Sequence, residues 1–293
     1  MKAFHSMWTA PFLRRHQGDF YIEDFELLTT ILSALKWREF NGDIKMVTDK
    51  IGAKYYRELG LEFLWNLGMD ESLENIPKAI NPEVFWAAGK LYALRAEQTP
   101  IVMMDTDFIV WQCIDELIDS SHICVIHREE LMTDVYPPKC KFEMDRSYKD
   151  FDKWNWIVKP CNTAFLYVED MDFKRYYTDS AIKFMLATKG NNPLTYMVFA
   201  EQRLVSMCAL EKEKEILAIS SVEGLFSDKQ GIFTHIWGHK RHLRDNYLSR
   251  IKFCKKCMRR IYKDYPEYYD KIKVIDSLKG YHEDIMSELI YIE

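Results

Sequence analysis

Residues 101–107 read Ile101-Val-Met-Met-Asp105-Thr-Asp107, four apolar residues that end on two carboxylates one residue apart. A short apolar run without helical spacing suits a central strand buried on both faces. In open α/β sheets, ligands bind in the crevice outside the carboxyl ends of such strands. Strand alternation predicts that Asp105 and Asp107 point to one side and Thr106 to the other. Two convergent carboxylates offer hard oxygen ligands for Mg²⁺ or Mn²⁺. The same tripeptide also reads as two solvated turn acids, and the flanking segments decide between these readings.

Outward from this stretch, short apolar segments alternate with helical patterns, which predicts an α/β layered fold. Residues 3–6 and 44–48 read as strands, and Phe25, Leu28, Leu32 and Leu35 recur at helical spacing. Residues 51–59 read as a helix stopped by Gly60. Asn81-Pro82-Glu83 combines an N-cap residue, Pro at the first position and an acid in the first turn. It predicts a helix starting there and carrying Trp86, Lys90 and Leu94. Downstream, residues 108–111, 122–127, 163–168 and 216–219 read as strands. Asn192-Pro193 opens a helix that runs through Glu201 and Gln202.

Charge is unevenly spread. The 293 residues carry 45 acidic and 40 basic side chains, for a formal charge of -5. Between Lys240 and Lys263 there are ten Lys/Arg against one acid, Asp245, so this segment is +9 and the remainder -14. That balance excludes a uniformly basic nucleic-acid binder, and 48% hydrophobic residues exclude intrinsic disorder. No repeat or low-complexity linker interrupts the chain. The simplest partition is a catalytic domain over residues 1–240 with a helical extension over 241–293 packed on it. The opening residues lack the apolar core of a signal peptide. No apolar run reaches the roughly 18 residues of a membrane span. Seven cysteines without framework spacing suit a reducing compartment, so the expected location is cytoplasmic.

Three segments favour the metal-site reading. His235-Ile-Trp-Gly238-His-Lys240-Arg241 places an imidazole before a turn and two cations. A third, nitrogen ligand suits Mn²⁺, and the cations suit a diphosphate leaving group. Lys90 lies on the helix that feeds the apolar strand, within reach of a phosphate. Asn162 on a strand and Glu201-Gln202 on a later helix suit sugar hydroxyls.

The order of these segments resembles the GT-A glycosyltransferases, in particular the glycogenin-like and lipopolysaccharide galactosyltransferase-like branch. Lys90, Asp105/Asp107, Asn162, Glu201-Gln202 and His235-x-x-Gly238 follow in that branch's order. The opening His5-Ser-Met-Trp8 also looks like that of a family of bacterial chains with the same plan. Lys90 stands where the branch more usually has Arg, and Glu201 where it has Asp. Lys240 falls one residue before the branch's Lys position, which Arg241 fills.

The resemblance implies a Rossmann-type mixed sheet flanked by helices. It implies transfer of a sugar from a nucleoside-diphosphate-sugar donor to a saccharide or lipid-linked acceptor, with Mn²⁺ or Mg²⁺. Asp105, Asp107 and His235 would ligate the metal, Asp105 also holding the donor ribose. Lys240 or Arg241 would contact the diphosphate, and Asn162, Glu201 and Gln202 would serve the donor sugar. Thr48, Asp49 and the loop from His5 to Trp8 would border the nucleotide base.

Other readings compete. A non-catalytic nucleotide-sugar-binding or scaffold protein would keep the same fold. A D-x-D phosphotransferase or phosphatase would use its first Asp as nucleophile, although such enzymes carry the motif near the N-terminus. His239-x-x-His242 and Cys254-x-x-Cys257 have zinc-like spacings. However, Leu243, Tyr247, Ile251, Cys254, Met258 and Ile261 form an apolar stripe on one helix, which predicts core cysteines. The basic face opposite is either solvated or a peripheral contact with anionic membrane.

Overall fold

The computed structural model describes residues 1–118, 121–225, 227 and 231–290, the last four of these without their side chains. The end of the expected helical extension, residues 291–293, lies outside the described residues. The first half contains β1 (Lys2–Met7), α1 (Ala10–Arg15), α2 (Asp24–Phe40), β2 (Asp43–Thr48), α3 (Lys50–Glu58), β3 (Met69–Asp70), α4 (Ala88–Ala96), β4 (Ile101–Met104) and β5 (Phe108–Val110). There follow α5 (Asp115–Ile118), β6 (Ile123–Val125), β7 (Phe165–Val168), α6 (Met171–Ala187), α7 (Pro193–Val198) and α8 (Leu204–Glu211). The chain continues with β8 (Leu217–Ala218), α9 (Val222–Leu225), β9 (Phe233–His235), α10 (His239–Asp245), α11 (Tyr247–Asp264), α12 (Pro266–Ile272) and α13 (Asp276–Ile290).

Seven strands form one mixed sheet in the order β3-β2-β1-β4-β7-β6-β8. The β3, β2, β1 and β4 strands run parallel, β7 runs antiparallel to β4 and β6, and β8 is parallel to β6. The β5 and β9 strands form a separate antiparallel ribbon. This is the α/β fold that the alternating pattern predicts, with the mixed sheet that the resemblance implies. All four residues of β4 are buried, as its unbroken apolar run requires.

Side-chain alternation along the strands divides the core into two layers. Ala3, Ile44, Val102, Met104 and Phe165 face α2, whereas Phe4, Val47, Met103 and Leu166 face α4, α6 and α8. The α2 helix is buried almost all round, because the sheet covers one side and α11 packs on the other. Leu243, Cys254, Met258 and Ile261 thereby join the core of the first layer. The end of α3 follows its sequence signal closely. Gly60 takes φ 67°, while the Leu61 amide donates to Tyr56 and the Gly60 amide to Arg57, a Schellman closure.

Two local expectations are corrected. The helix anticipated at Asn81 begins instead at Ala88. Asn81 Oδ1 does accept from the Glu83 amide at 3.0 Å, but that satisfies a turn, and Val84 and Phe85 are drawn into the core before any helix forms. The single apolar stripe from Leu243 to Ile261 is also broken. Asn246 caps α11 through its side chain, accepting from the Ser249 amide at 2.9 Å, so α10 and α11 are separate helices and Tyr247 is 73% exposed. Cys254 and Cys257 are buried, as the stripe predicts, and burial pushes both thiols above their ordinary range. Part of the basic face pairs internally: Arg244 with Glu26, Arg250 with Glu23 and Asp24, and Arg260 with Asp264. Among the described residues, no helix is long and apolar enough to cross a membrane.

His5 sits on the α2 side of β1 and is fully buried. Trp65 Nε1 donates to its Nδ1 at 3.3 Å, and its Nε2 lies 3.0 Å from Ser33 Oγ, which in turn donates to the Phe108 carbonyl at 2.5 Å. This order requires the neutral Nε2–H tautomer. Burial holds the imidazole pKa down at about 3, against an opposing pull from Asp107. Above the ordinary value of 6.5 both folded and unfolded forms are neutral, so His5 costs nothing. Below it only the unfolded chain takes the proton, and stability falls as pH drops towards 3. Between pH 7 and pH 5 the loss from this residue is about 2 kcal/mol. His5→Gln, which keeps a donor and an acceptor without titrating, is expected to lose about that much less in urea unfolding over the same interval. Equal losses in the two proteins would refute the assignment.

Candidate active site

β4 ends at Met104, and the D-x-D pair lies in the turn that follows rather than on the strand. The Asp105 amide donates to the Ala164 carbonyl at 2.7 Å, and the Phe108 amide closes the turn on the Asp105 carbonyl at 3.1 Å. Convergence of the two carboxylates therefore comes from turn geometry, which corrects the expectation from strand alternation. β5 leaves this turn and pairs with β9 in the register Phe108↔His235. That register carries His235 across some 130 residues to the second Asp, with Nε2 3.8 Å from Asp107 Oδ2. Ligand atoms of Asp105, Asp107 and His235 all lie within 4.8 Å of one another.

Two lysines balance the carboxylates. Lys90 Nζ lies 2.6 Å from Asp105 Oδ1 and also pairs with Glu201, which accepts from Thr163 Oγ1 at 2.8 Å. Lys240 Nζ lies 3.0 Å from Asp107 Oδ2 and 3.7 Å from Glu26. Burial alone would raise the Asp107 pKa, but the Lys240 ammonium outweighs it and holds the carboxyl below its ordinary range. Burial lowers the His235 pKa against the pull of Asp107 and Asp105, keeping the imidazole neutral and available as a ligand. For Lys90 and Lys240 the order is reversed. Burial would lower each ammonium, but the adjacent carboxylates raise both above the usual lysine value.

The opposite wall is built by a break in helical register. Between α7 and α8, residues Phe199–Arg203 form one π-helical turn, a feature that recurs at functional sites because it re-aims side chains. It places Glu201 against Lys90 and Gln202 at the cleft. Gln202 Oε1 accepts from Tyr136 Oη at 2.6 Å, which leaves its amide nitrogen as the free donor. Asn162 is fixed in the same manner: Oδ1 accepts from the Ala164 amide at 3.1 Å and Nδ2 donates to Glu129 at 3.1 Å. Tyr136 and Glu129 are absent from the sequence reading. They belong to an irregular segment without a motif, and only tertiary structure brings them behind the two amides.

The sequence profile of a Family of unknown function (DUF6734) matches residues 1–275. The chain belongs to the DUF6734 family. Comparison with curated proteins gives no sequence match. Among solved structures, the fold is similar to mouse xyloside xylosyltransferase 1 in its apo form, at 9% identity and TM-score 0.40 over 75% of this chain and 85% of that one. It is similar to the PaToxG glycosyltransferase at 12% identity and TM-score 0.40, over 95% of this chain and 86% of that one. A third similarity is to the glycosyltransferase GlyE of Streptococcus pneumoniae TIGR4, at 10% identity and TM-score 0.34, over 69% and 44% of the respective chains.

In this DUF6734 chain the carboxylates, both lysines, Trp8, Asn162, Glu201, Gln202 and His235 line one cleft of about 380 Å³, within the size range of small-molecule sites. Trp86 and Trp237, to which the sequence reading gave no role, line it as well. Gly89 lets α4 come close to β1 at this point, since a Cβ there would meet Trp8 Cβ at 2.8 Å. Four expected residues are not brought together with these. His5 is buried behind β1 because it shares a strand face with Ala3. Thr48 is buried and donates to the Met7 carbonyl. Asp49 caps α3 and holds both the amide and the hydroxyl of Thr9; it lines a neighbouring hollow that shares Trp8. Arg241 points to solvent, its side chain 92% exposed beside Asp245. Of the two consecutive cations, Lys240 is therefore the one at the cleft.

Proposed function

We propose that this chain is a divalent-metal-dependent glycosyltransferase acting on a nucleoside-diphosphate-sugar donor. The observation that carries this reading is the meeting of Asp105, Asp107 and His235 in one cleft with two lysines and two oriented amides. Three carboxylates against two ammonium groups leave that cleft at a formal charge of -1 with His235 neutral. A divalent cation would bring it to +1, the sign that a diphosphate requires. The donor set fits such an ion: two carboxylates and one neutral imidazole, with His235 Nδ1 buried and lacking a hydrogen-bond partner. Asp105, Asp107 and His235 would hold the ion, and it would supply charge neutralisation at the departing diphosphate.

The chain's own residues supply the rest. Lys90 and Lys240 stand on either side of the carboxylates as cations for phosphate oxygens. Asn162 and Gln202, locked by Glu129 and Tyr136, offer N–H donors to oxygen atoms of the sugar. Trp8, Trp86 and Trp237 wall the cleft and restrict water around the reacting centre.

Thermal-shift screening of uridine, guanosine, cytidine and adenosine diphosphate-sugars, each with and without Mn²⁺, tests the proposal. At a hundredfold excess over the dissociation constant, a native-state ligand adds about 2.7 kcal/mol of stability, so one donor is expected to raise Tm by several degrees only with metal present. Release of free sugar from that donor separates an enzyme from a non-catalytic binder. No shift with any donor would sink the reading.

A further inference from the structure

Beyond the cleft, a second hollow of about 740 Å³ shares Trp86 with it as a lining residue. Its character differs from that of the metal cleft. Asn81, Asn191 and Asn192 line it together with Arg15, Glu83 and Leu194. Trp86 is 37% exposed and Leu194 47% exposed, so each presents apolar surface to the hollow. Internal contacts fix two of the three amides. Asn81 Oδ1 accepts from the Glu83 amide at 3.0 Å, and Asn192 Oδ1 accepts from the Thr195 amide at 3.1 Å. Each amide therefore keeps its NH₂ group as the free donor. Arg15 donates to the Glu83 carbonyl at 2.9 Å, tying the end of α1 to this rim. Among the described residues lining the hollow, one cation, Arg15, is matched by one carboxylate, Glu83, so their charges balance to zero.

From these features we infer that the hollow is the acceptor subsite, and that the acceptor group it takes is an uncharged saccharide bound across Trp86. An indole face with amide donors around it suits a ring that is apolar on its C–H face and rich in oxygen acceptors at its edge. The zero balance of charge disfavours phosphorylated or carboxylated groups, which would face Glu83 without a surplus cation. Because the two hollows share Trp86 and this one is not lined by Asp105, Asp107 or His235, an acceptor held here lies next to the donor cleft without competing for the metal ligands. The inference rests on the transferase reading for the word acceptor. The saccharide site itself is independent of it.

The test uses saturation-transfer NMR on the full chain with methyl glycosides of glucose, galactose, N-acetylglucosamine, mannose and xylose. Asn81→Asp/Asn192→Asp is the informative variant, because each aspartate retains the oxygen that its neighbouring amide needs while a charged, acceptor-only carboxylate oxygen replaces the NH₂ donor. Binding of at least one glycoside to the wild-type chain is expected, with at least tenfold weaker binding in the double variant and unchanged Mn²⁺-dependent nucleotide binding. Asn191→Ala, which removes an exposed amide with little risk to folding, is expected to weaken glycoside binding in the same direction. Equal glycoside affinity in wild type and both variants would overturn the site, as would the failure of every glycoside to bind a chain that binds nucleotide. Glycoside binding that is lost in the variant, in a chain that binds no nucleotide, would retain the saccharide site and overturn the donor reading instead.

Discussion

Asp107→Ala is expected to abolish Mn²⁺-dependent binding of nucleoside diphosphate while leaving the fold intact. Asp107 is an enclosed member of the three metal-type ligands that meet in the cleft, with its side chain 5% exposed, and it stands between His235 and Lys240. Removing it takes one of two carboxylates from the candidate metal site and leaves that site with a single hard oxygen donor group. Loss of a residue that merely supports a metal ligand costs 10–100-fold in affinity, so loss of a ligand itself is expected to cost at least about 100-fold. The fold survives because Lys240 keeps Glu26 at 3.7 Å as a partner and is itself partly solvated. Isothermal titration of nucleoside diphosphate with and without Mn²⁺, paired with far-ultraviolet circular dichroism, reads both halves of the expectation. Treating the wild-type chain with EDTA is expected to reproduce the variant. Unchanged metal-dependent binding in a folded variant would remove Asp107 from the site.

The sequence disclosed this site unevenly, and the reasons are physical. Asp105 and Asp107 are legible because an unbroken apolar strand has few places to end except a ligand-binding edge. His235 and Lys240 are legible as residue types before a glycine, but their approach to Asp107 depends on the pairing of β5 with β9, a register that no local pattern encodes. Glu201 and Gln202 are legible as polar helical residues suited to sugar hydroxyls, but the π-turn that directs them to the cleft has no signature in composition. His5 illustrates the opposite failure. The sequence suggests a loop from His5 to Trp8 that borders the nucleotide base, yet β1 runs on to Met7, and period-two alternation turns Ser6 and Trp8 towards the cleft and His5 into the core. The false helix start at Asn81 has a similar lesson. A capping residue and a proline define a turn as readily as a helix when the next residues, Val84 and Phe85, are claimed by tertiary packing.

Lys90→Met tests how the cleft manages its charge. Lys90 is 12% exposed and lies between Asp105, at 2.6 Å, and Glu201, which is 8% exposed. Methionine preserves much of the stem but leaves two carboxylates facing each other without a cation. Breaking a buried ion pair on one side costs about 3–5 kcal/mol, and the lower end applies because Asp105 is 29% exposed and reaches water. Urea unfolding without metal is therefore expected to show a loss of about 3 kcal/mol. Lys90→Arg keeps the charge and is expected to lose much less. Addition of Mn²⁺ discriminates further. In the wild-type chain a divalent ion competes with Lys90 for the charge of Asp105, whereas in Lys90→Met that competition is gone. Mn²⁺ is thus expected to raise the stability of Lys90→Met by more than it raises that of wild type, through linkage of ion binding to the native state. Equal increments in the two proteins would show that Asp105 does not share its charge between the lysine and the ion. A larger increment in the variant would establish Lys90 as the resident counter-ion of a metal site, balancing Asp105 and Glu201 until donor phosphates and the metal meet in the cleft.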